Sequence, residues 1–308
     1  MTARFMKILL LGKNGQVGWE LQRSLAPLGE LVALDASSQE HCGDLTDLVG
    51  LAKTLRDVAP DVIVNAAAYT AVDQAESEPE LAHAVNAKAP ALLAQAAKAG
   101  SAWLVHYSTD YVFDGGGNQP WLESDVAKPL SVYGASKLAG EQAIMDTGCK
   151  HLIFRTSWVY AARGRNFAKT MMQLAQQREQ LNVINDQIGA PTGADLLADV
   201  TAHALRLVMQ QPQLSGLYHL AASGETSWHA YATFVIEQAR QAGLAVKVAP
   251  SAIHAVASSE FPTAARRPLN SRLNTLKLRS AFNLYLPSWH DGVSRMLNEV
   301  LENNVSRH

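Results

Sequence analysis

Lys7-Ile-Leu-Leu-Leu11 runs directly into Gly12-Lys-Asn-Gly15-Gln-Val-Gly18, and these twelve residues decide the fold. The first five form a compact apolar run, too short for a helix and stopped by glycine, which reads as a strand buried on both faces. Beyond the glycines, residues 16–28 place Val17, Leu21 and Leu25 on one stripe, the spacing of an amphipathic helix. Glycines between a strand and a helix let the turn tighten and let backbone N–H groups approach a pyrophosphate. The helix N-terminus then faces the negative charge. A plain tight turn also uses glycines, but the flanking strand and helix favour a dinucleotide site.

The same alternation continues outward from this unit. Leu31-Val-Ala-Leu34, Asp61-Val-Ile-Val-Asn65, Trp103-Leu-Val-His-Tyr-Ser108 and His151-Leu-Ile-Phe154 are further apolar runs. Helical patterns lie between them at 48–58 and 80–98, the latter rich in alanine. Continuous apolar strands alternating with helices predict an α/β protein with a doubly wound parallel sheet and right-handed crossovers. Stretches 167–177, 194–210, 228–241 and 289–302 are mostly helical and are separated by loops bearing Pro and Gly. They predict a smaller, partly interleaved C-terminal lobe. The division is a dinucleotide-binding domain over 6–150 and a substrate-binding lobe over 151–308, with segments near 190–215 returning to the first.

Composition narrows the classes. Of the 308 residues, 48% are apolar and 18% charged, which excludes a disordered or low-complexity chain. The net charge of -2 argues against nucleic acid or a membrane surface as partner. No apolar run reaches the roughly 18 residues of a spanning helix. Met1-Thr-Ala-Arg-Phe-Met6 is not a secretory signal, and Met6 is an alternative start. Cys42 and Cys149 are far apart and form no CxxC, as expected of free thiols in a reducing cytoplasm. None of the ten histidines has metal-ligand spacing.

Several residues are candidates for the cofactor. Asp35 follows the second apolar run, 17 residues after Gly18, where a carboxylate accepts ribose hydroxyls. It favours NADH by repelling a 2′-phosphate, although the neighbouring Ser37 and Ser38 leave NADPH open. The alternative is a solvated turn residue. Asp44-Leu45 is a candidate adenine contact. Asn65-Ala-Ala-Ala68 ends the third strand with small side chains that suit either a flat cofactor or a buried strand end.

The candidate chemistry lies further on. Tyr133-Gly-Ala-Ser-Lys137 opens a helix, so its Tyr and Lys share a face. A free phenol has a pKa near 10, too high for efficient proton exchange at neutral pH. A nearby ammonium favours the phenolate, and Lys137 can supply it while holding a ribose. Thr109, ending the fourth strand, stands where open sheets place ligands and can polarise a carbonyl oxygen. Alone, YxxxK is better explained by surface decoration; with the glycine turn and Thr109 it reads as carbonyl chemistry.

These motifs, with Ser108-Thr-Asp-Tyr-Val-Phe113, resemble the extended short-chain dehydrogenases/reductases of Rossmann fold. Arg155-Thr-Ser-Trp158-Val-Tyr160, Asn185-Asp-Gln-Ile-Gly-Ala-Pro-Thr192-Gly and Arg267-Pro-Leu-Asn-Ser-Arg272-Leu are more narrowly similar to the dTDP-4-dehydrorhamnose reductase family. The resemblance runs over nearly the whole chain. It implies NADH- or NADPH-dependent reduction of the C4 carbonyl of dTDP-4-dehydro-L-rhamnose, the last step of dTDP-rhamnose synthesis for cell-surface polysaccharide such as O-antigen. Tyr133 would donate the proton, Lys137 would bind ribose and tune Tyr133, and Thr109 and Asp110 would contact the sugar. Trp158 would pack on the sugar or base. Gly15, Gln16, Val17, Asp35, Asp44, Leu45, Ala68, Tyr69 and Thr70 would line the cofactor site, Tyr69 and Lys13 at variable positions.

Related dehydratases carry Asp-Glu after the threonine, whereas Asp110-Tyr111 here lacks the second carboxylate and favours reduction. Some members form homodimers around magnesium held by carboxylates. The matching positions are Glu20, Asp195 and Glu299, with Asp195 where a longer Glu is usual, and solvated helix carboxylates are the alternative reading. Arg266, Arg267 and Arg272 form the strongest basic cluster, suited to a diphosphate or simply to a solvated surface. Trp228-His229 and Trp289-His290 read as structural. The competing functions are a reductase or epimerase of another nucleotide-linked 4-keto sugar, and a non-catalytic nucleotide-binding regulatory subunit.

Overall fold

The computed structural model describes residues 5–305; Met1 to Arg4, with the question of the start, lie outside the described residues. Six strands form the central sheet: β1 Met6–Leu11, β2 Gly29–Leu34, β3 Val62–Asn65, β4 Trp103–Thr109, β5 Lys150–Thr156 and β6 Gly216–His219. Their order is β6-β5-β4-β3-β1-β2, and every pairing is parallel. β1 to β5 are the five runs read from sequence. β6 escaped that reading because it is a four-residue edge strand ending in a histidine.

The pleat explains the unbroken apolar runs. Ile8 and Leu10 pack on one face of the sheet with Leu21, Leu25, Leu197 and Leu205. Leu9 and Leu11 pack on the other with Leu51, Leu55, Leu93 and Ile144. Successive side chains of a strand point to opposite faces, so a strand covered on both sides has no polar position. The first face is covered by helices Gln16–Leu25 and Ala194–Val208, the second by Leu48–Val58 and Ala89–Gly100. A separate core gathers Met171, Val183, Tyr231, Val235, Trp289 and Leu297 from helices Phe167–Gln177, Trp228–Gln241 and Trp289–Val305 and a strand at Leu181–Ile184.

The helical stretch expected at 80–98 is broken. Helix Pro79–His83 passes into a wider π turn at Ala84–Lys88 before helix Ala89–Gly100. The Ala89 N–H reaches back to the Ala84 carbonyl, and Pro90, which has no N–H, follows. A proline removes one donor from the ladder, and the extra residue of a π turn rephases it. The turn carries Asn86, 1% exposed, toward the ends of the strands.

Helix Val132–Thr147 is capped by the Ser131 hydroxyl, which accepts from Gly134 N at 3.2 Å, and is ended by Gly148 at φ 64°. It is locked to β5 by a buried ion pair. Arg155 donates from Nη2 to Glu141 Oε2 at 2.6 Å and from Nε to Oε1 at 2.9 Å. Their side chains are only 5% and 0% exposed.

Candidate active site

β1 lies between β2 and β3, so the chain leaves it toward opposite sides and a crevice opens beyond its C-terminal end. The glycine turn fills that crevice. Gly12 has φ +87°, and a Cβ there would lie 2.7 Å from Ala67 N. A Cβ on Gly18 would collide with the Gly12 carbonyl. These two glycines are therefore demanded by the packing of β1, its helix and the end of β3. Gly15 is different, since its Cβ would only press on Gly12 O at 3.3 Å. It begins the helix with no side-chain cap, which leaves N-terminal N–H groups for an anion. This cradle fits a dinucleotide pyrophosphate.

The other cofactor candidates are placed unevenly. Gln16 Oε1 accepts from Asn166 Nδ2 at 3.1 Å, and Val17 packs against the sheet core. Asp35 caps its own loop, accepting from Ser37 N at 3.1 Å, Ser37 Oγ at 2.9 Å and Ser38 Oγ at 3.0 Å, and from Asn14 Nδ2 of the glycine turn. The Ser37 hydroxyl above all holds this carboxyl below its usual range. Asp44 is spent on Thr46, whose N and Oγ1 both donate to it at 2.8 Å. The Leu45 side chain is in the core at 4% exposure, so only its backbone is free for an adenine. Ala68 and Thr70 flank Tyr69, whose hydroxyl donates to Glu78 Oε2 at 2.7 Å and is thereby turned to that carboxylate.

Sequence reasoning missed Asn86. Its Oδ1 accepts from Tyr69 N at 2.9 Å, while its Nδ2 donates to Tyr69 O at 3.0 Å and to Ser136 Oγ at 3.0 Å. One buried amide thus ties the loop after β3 to the helix of Tyr133 and Lys137. The only sequence signal was a polar residue inside an alanine-rich helix pattern.

The three catalytic candidates all gather at the C-terminal end of β4. Thr109 ends that strand, and its hydroxyl lies beside the Tyr133 phenol. Burial pushes the Tyr133 phenol up to about 12, and the Thr109 hydroxyl opposes it. The Lys137 amine is turned away from the phenol. Its Nζ donates to Tyr107 O at 2.6 Å and lies 3.3 Å from His106 Nε2. The expected lowering of the Tyr133 pKa is therefore absent here, because the amine is turned to the strand and not to the ring. Tyr111 meets Tyr133 edge to face, with centroids 5.6 Å apart.

Asp110 is 2% exposed, and its Oδ2 has no hydrogen-bond partner while Oδ1 accepts from Thr109 Oγ1 at 3.2 Å. Burial raises this carboxyl from 3.8 to about 6, with Ser271 and Thr109 opposing. The folded chain thus holds this proton more tightly than the unfolded chain. The group costs nothing below the unfolded value, and stability falls as pH rises between the two values. Asp110→Asn is expected to stabilise the protein by about 2–3 kcal/mol at about pH 7.5 and by much less at about pH 4. Urea unfolding at both pH values checks this, and an equal gap at the two would contradict it.

Beyond Tyr111 a cavity of about 550 Å³ is lined by Phe167, Leu174, Val183, Trp228, Arg178 and Arg267, among others. Trp158, at φ +50°, stacks on Trp228 at 3.6 Å between centroids. Trp228, read as structural, is thus a wall of the cavity, whereas Trp289 is core at 3% exposure. The arginine cluster is divided. Arg267 lines the cavity and pairs with Asp73, Nη2 to Oδ2 at 2.6 Å. Arg272 instead pairs with Glu225 at 2.6 Å, and Arg266 is exposed.

Glu20, Asp195 and Glu299 do not assemble a magnesium site within the chain. Among the described residues no group of three or more His, Cys, Asp or Glu could hold a metal ion. Two of these carboxylates already face cations, Asp195 with Arg295 at 3.3 Å and Glu20 with Arg23 at 3.5 Å. No described helix is long and apolar enough to cross a membrane.

A parallel sheet with a glycine cradle at its switch point, and a Thr–Tyr–Lys set beyond its fourth strand, defines a nicotinamide-dependent short-chain dehydrogenase/reductase. The chain belongs to the family described as the RmlD substrate binding domain, whose model matches residues 6–302. It is 60% identical to the dTDP-4-dehydrorhamnose reductase of Salmonella typhimurium over 295 residues, covering 96% of this chain and 98% of that one. The Escherichia coli K12 enzyme of the same name is 59% identical with the same coverage. Among solved structures, the Bacillus anthracis dTDP-4-dehydrorhamnose reductase in complex with NADP is similar at a TM-score of 0.85 and 34% identity, covering 96% of this chain and 99% of that one.

Proposed function

We propose that this protein reduces the C4 carbonyl of dTDP-4-dehydro-L-rhamnose to give dTDP-L-rhamnose, for cell-surface polysaccharide such as O-antigen. The observation that carries the reading is the Thr109–Tyr133 pair beside a nucleotide-sized cavity. The names of the relatives at 59% and 60% identity supply the substrate.

Gly12, Gly15 and Gly18 hold the pyrophosphate, Asp35 the adenosine ribose, and Ala68 to Thr70 the cofactor's inner face. When bound, the nicotinamide cofactor supplies the hydride. Thr109 orients the carbonyl oxygen, and Tyr133 donates its proton to the forming alkoxide. A phenol held at about 12 is fully protonated at neutral pH, the state a proton donor needs. Lys137 then stabilises the phenolate left behind. The sugar nucleotide lies in the C-terminal lobe, its base against Trp158 and Trp228 and its diphosphate near Arg267.

Both NADH and NADPH fit this arrangement. Asp35 is already satisfied by serines that also suit a 2′-phosphate, and Lys13 stands near it. Cytoplasmic placement is supported by the two free thiols Cys42 and Cys149, and a homodimer by the family resemblance; sedimentation with and without EDTA tests the dimer and any bridging magnesium. The function is tested by following the absorbance of NADPH and NADH with a panel of 4-keto nucleotide sugars. Consumption with dTDP-4-dehydro-L-rhamnose is expected, and silence on every sugar would favour a non-catalytic nucleotide-binding subunit.

A further inference from the structure

His106 lies on β4, 1% exposed, between two groups that both carry hydrogens. Asn65 Nδ2 is 3.2 Å from its Nδ1, and Lys137 Nζ is 3.3 Å from its Nε2. The Asn65 amide is not free to turn round, because its Oδ1 accepts from Ala67 N at 3.2 Å. Its NH₂ therefore points at His106 Nδ1, which must be the ring's acceptor. The neutral ring then carries its hydrogen on Nε2, facing Lys137. An ammonium there would set N–H against N–H, whereas a neutral amine has a lone pair to accept the hydrogen bond.

The surroundings point the same way. On β4, the Tyr107 carbonyl takes a hydrogen from Nζ at 2.6 Å, which either form of lysine can give. On the helix, Glu141 acts on Lys137 through its charge, but both its oxygens are engaged by Arg155 of β5. On β3 the neutral Asn65 meets the other side of the His106 ring, and the neutral Asn86 of the π turn is held to Ser136. Tyr133 on the same helix is protonated. Among the described residues no carboxylate is hydrogen-bonded to the amine, and at 2% exposure Lys137 has almost no contact with water.

We propose that His106 is a positioning residue that holds Lys137 as a neutral amine in the cofactor-free enzyme, and that Lys137 takes up a proton when the cofactor's ribose hydroxyls draw it off the histidine. The inference rests on the cofactor part of the proposed reading and on no particular sugar. Charge on Lys137 thus arises only when the cofactor is in place to use it. Burial, which pushes the Lys137 amine down to about 8 and the His106 imidazole well below its ordinary range, moves both groups toward their neutral forms.

The test is calorimetry of NADPH binding, and separately of NADH binding, in buffers of different ionisation enthalpy at about pH 9, a unit above the Lys137 value. The adenosine phosphate and Tyr133 do not titrate there. Close to one proton taken up per cofactor is expected for the unaltered enzyme. His106→Gln offers Lys137 a carbonyl oxygen, so the variant is expected to bind cofactor with little uptake. Binding without uptake by the unaltered enzyme, or undiminished uptake by His106→Gln, would overturn the proposal while leaving the cofactor site intact. Should His106→Gln not fold, the ¹⁵Nζ resonance of Lys137 in the unaltered enzyme decides. An amine shift that becomes an ammonium shift on adding cofactor supports the proposal, and an ammonium shift throughout overturns it.

Discussion

Tyr133→Phe is expected to lower kcat by about 10²–10⁴-fold while the cofactor still binds. Phe keeps the ring that meets Tyr111 edge to face, so the wall of the site is preserved. What is lost is the hydroxyl that stands beside Thr109 and is protonated at neutral pH. Cofactor fluorescence titration beside steady-state turnover separates the two effects. Near-normal turnover in a variant that binds cofactor would remove Tyr133 from the chemistry. Thr109→Val should share part of the loss, because the hydroxyl orients the same carbonyl oxygen. Such losses are not additive for groups that act as a unit.

The largest effect on stability is expected from the pair beneath the site. Glu141→Gln keeps the shape of the side chain but leaves the Arg155 guanidinium, 5% exposed, without its counter-charge. Arg155 already has one buried nitrogen, Nη1, with no partner among the described residues, and its guanidinium also lies over the face of Phe113 at 5.0 Å. Removing one partner of a buried pair typically costs about 3–5 kcal/mol. For a chain of this size that is a fall in Tm of roughly 10 °C. Replacing both partners by apolar residues, Glu141→Leu with Arg155→Met, is expected to recover most of the loss, since no charge is then left buried. Thermal unfolding of the single and double variants measures this. A single variant within about 1 kcal/mol of the unaltered protein would show that water reaches the guanidinium.

Much of this fold was legible because its signals are local. The glycine turn, the apolar runs of β1 to β5 and the Tyr-x-x-x-Lys spacing each lie within a few neighbouring residues. What escaped depends on residues far apart in the chain. β6 is too short to show a pattern, and it becomes a strand only because β5 offers an edge. The break in 80–98 was concealed by alanine-rich composition, although Pro90 was its visible cause. Asn86 and His106 are single polar residues inside an apparent helix and an apparent strand. Their partners lie 50 and 31 residues away along the chain.

Roles were harder to read than positions. Tyr133 and Lys137 share a helix as their spacing implied, yet the amine is drawn to β4 by His106 and the Tyr107 carbonyl. Sequence spacing gives proximity of two side chains, not the direction in which a flexible one is pulled. The arginine cluster shows the same limit. Three basic residues close in sequence are separated by Asp73 and Glu225, contributed from about 194 and 47 residues away. Acidic residues expected to share a metal are likewise held by Arg23 and Arg295.

The central claim is hydride delivery to C4 of a nucleotide-linked 4-keto sugar. Its most direct test is turnover of dTDP-4-dehydro-L-rhamnose with nicotinamide cofactor deuterated at the transferable position, followed by NMR of the isolated product. Deuterium at C4 of dTDP-L-rhamnose, one atom per cofactor oxidised, is the predicted result. Cofactor left unconsumed, or a product without deuterium at C4, would contradict it.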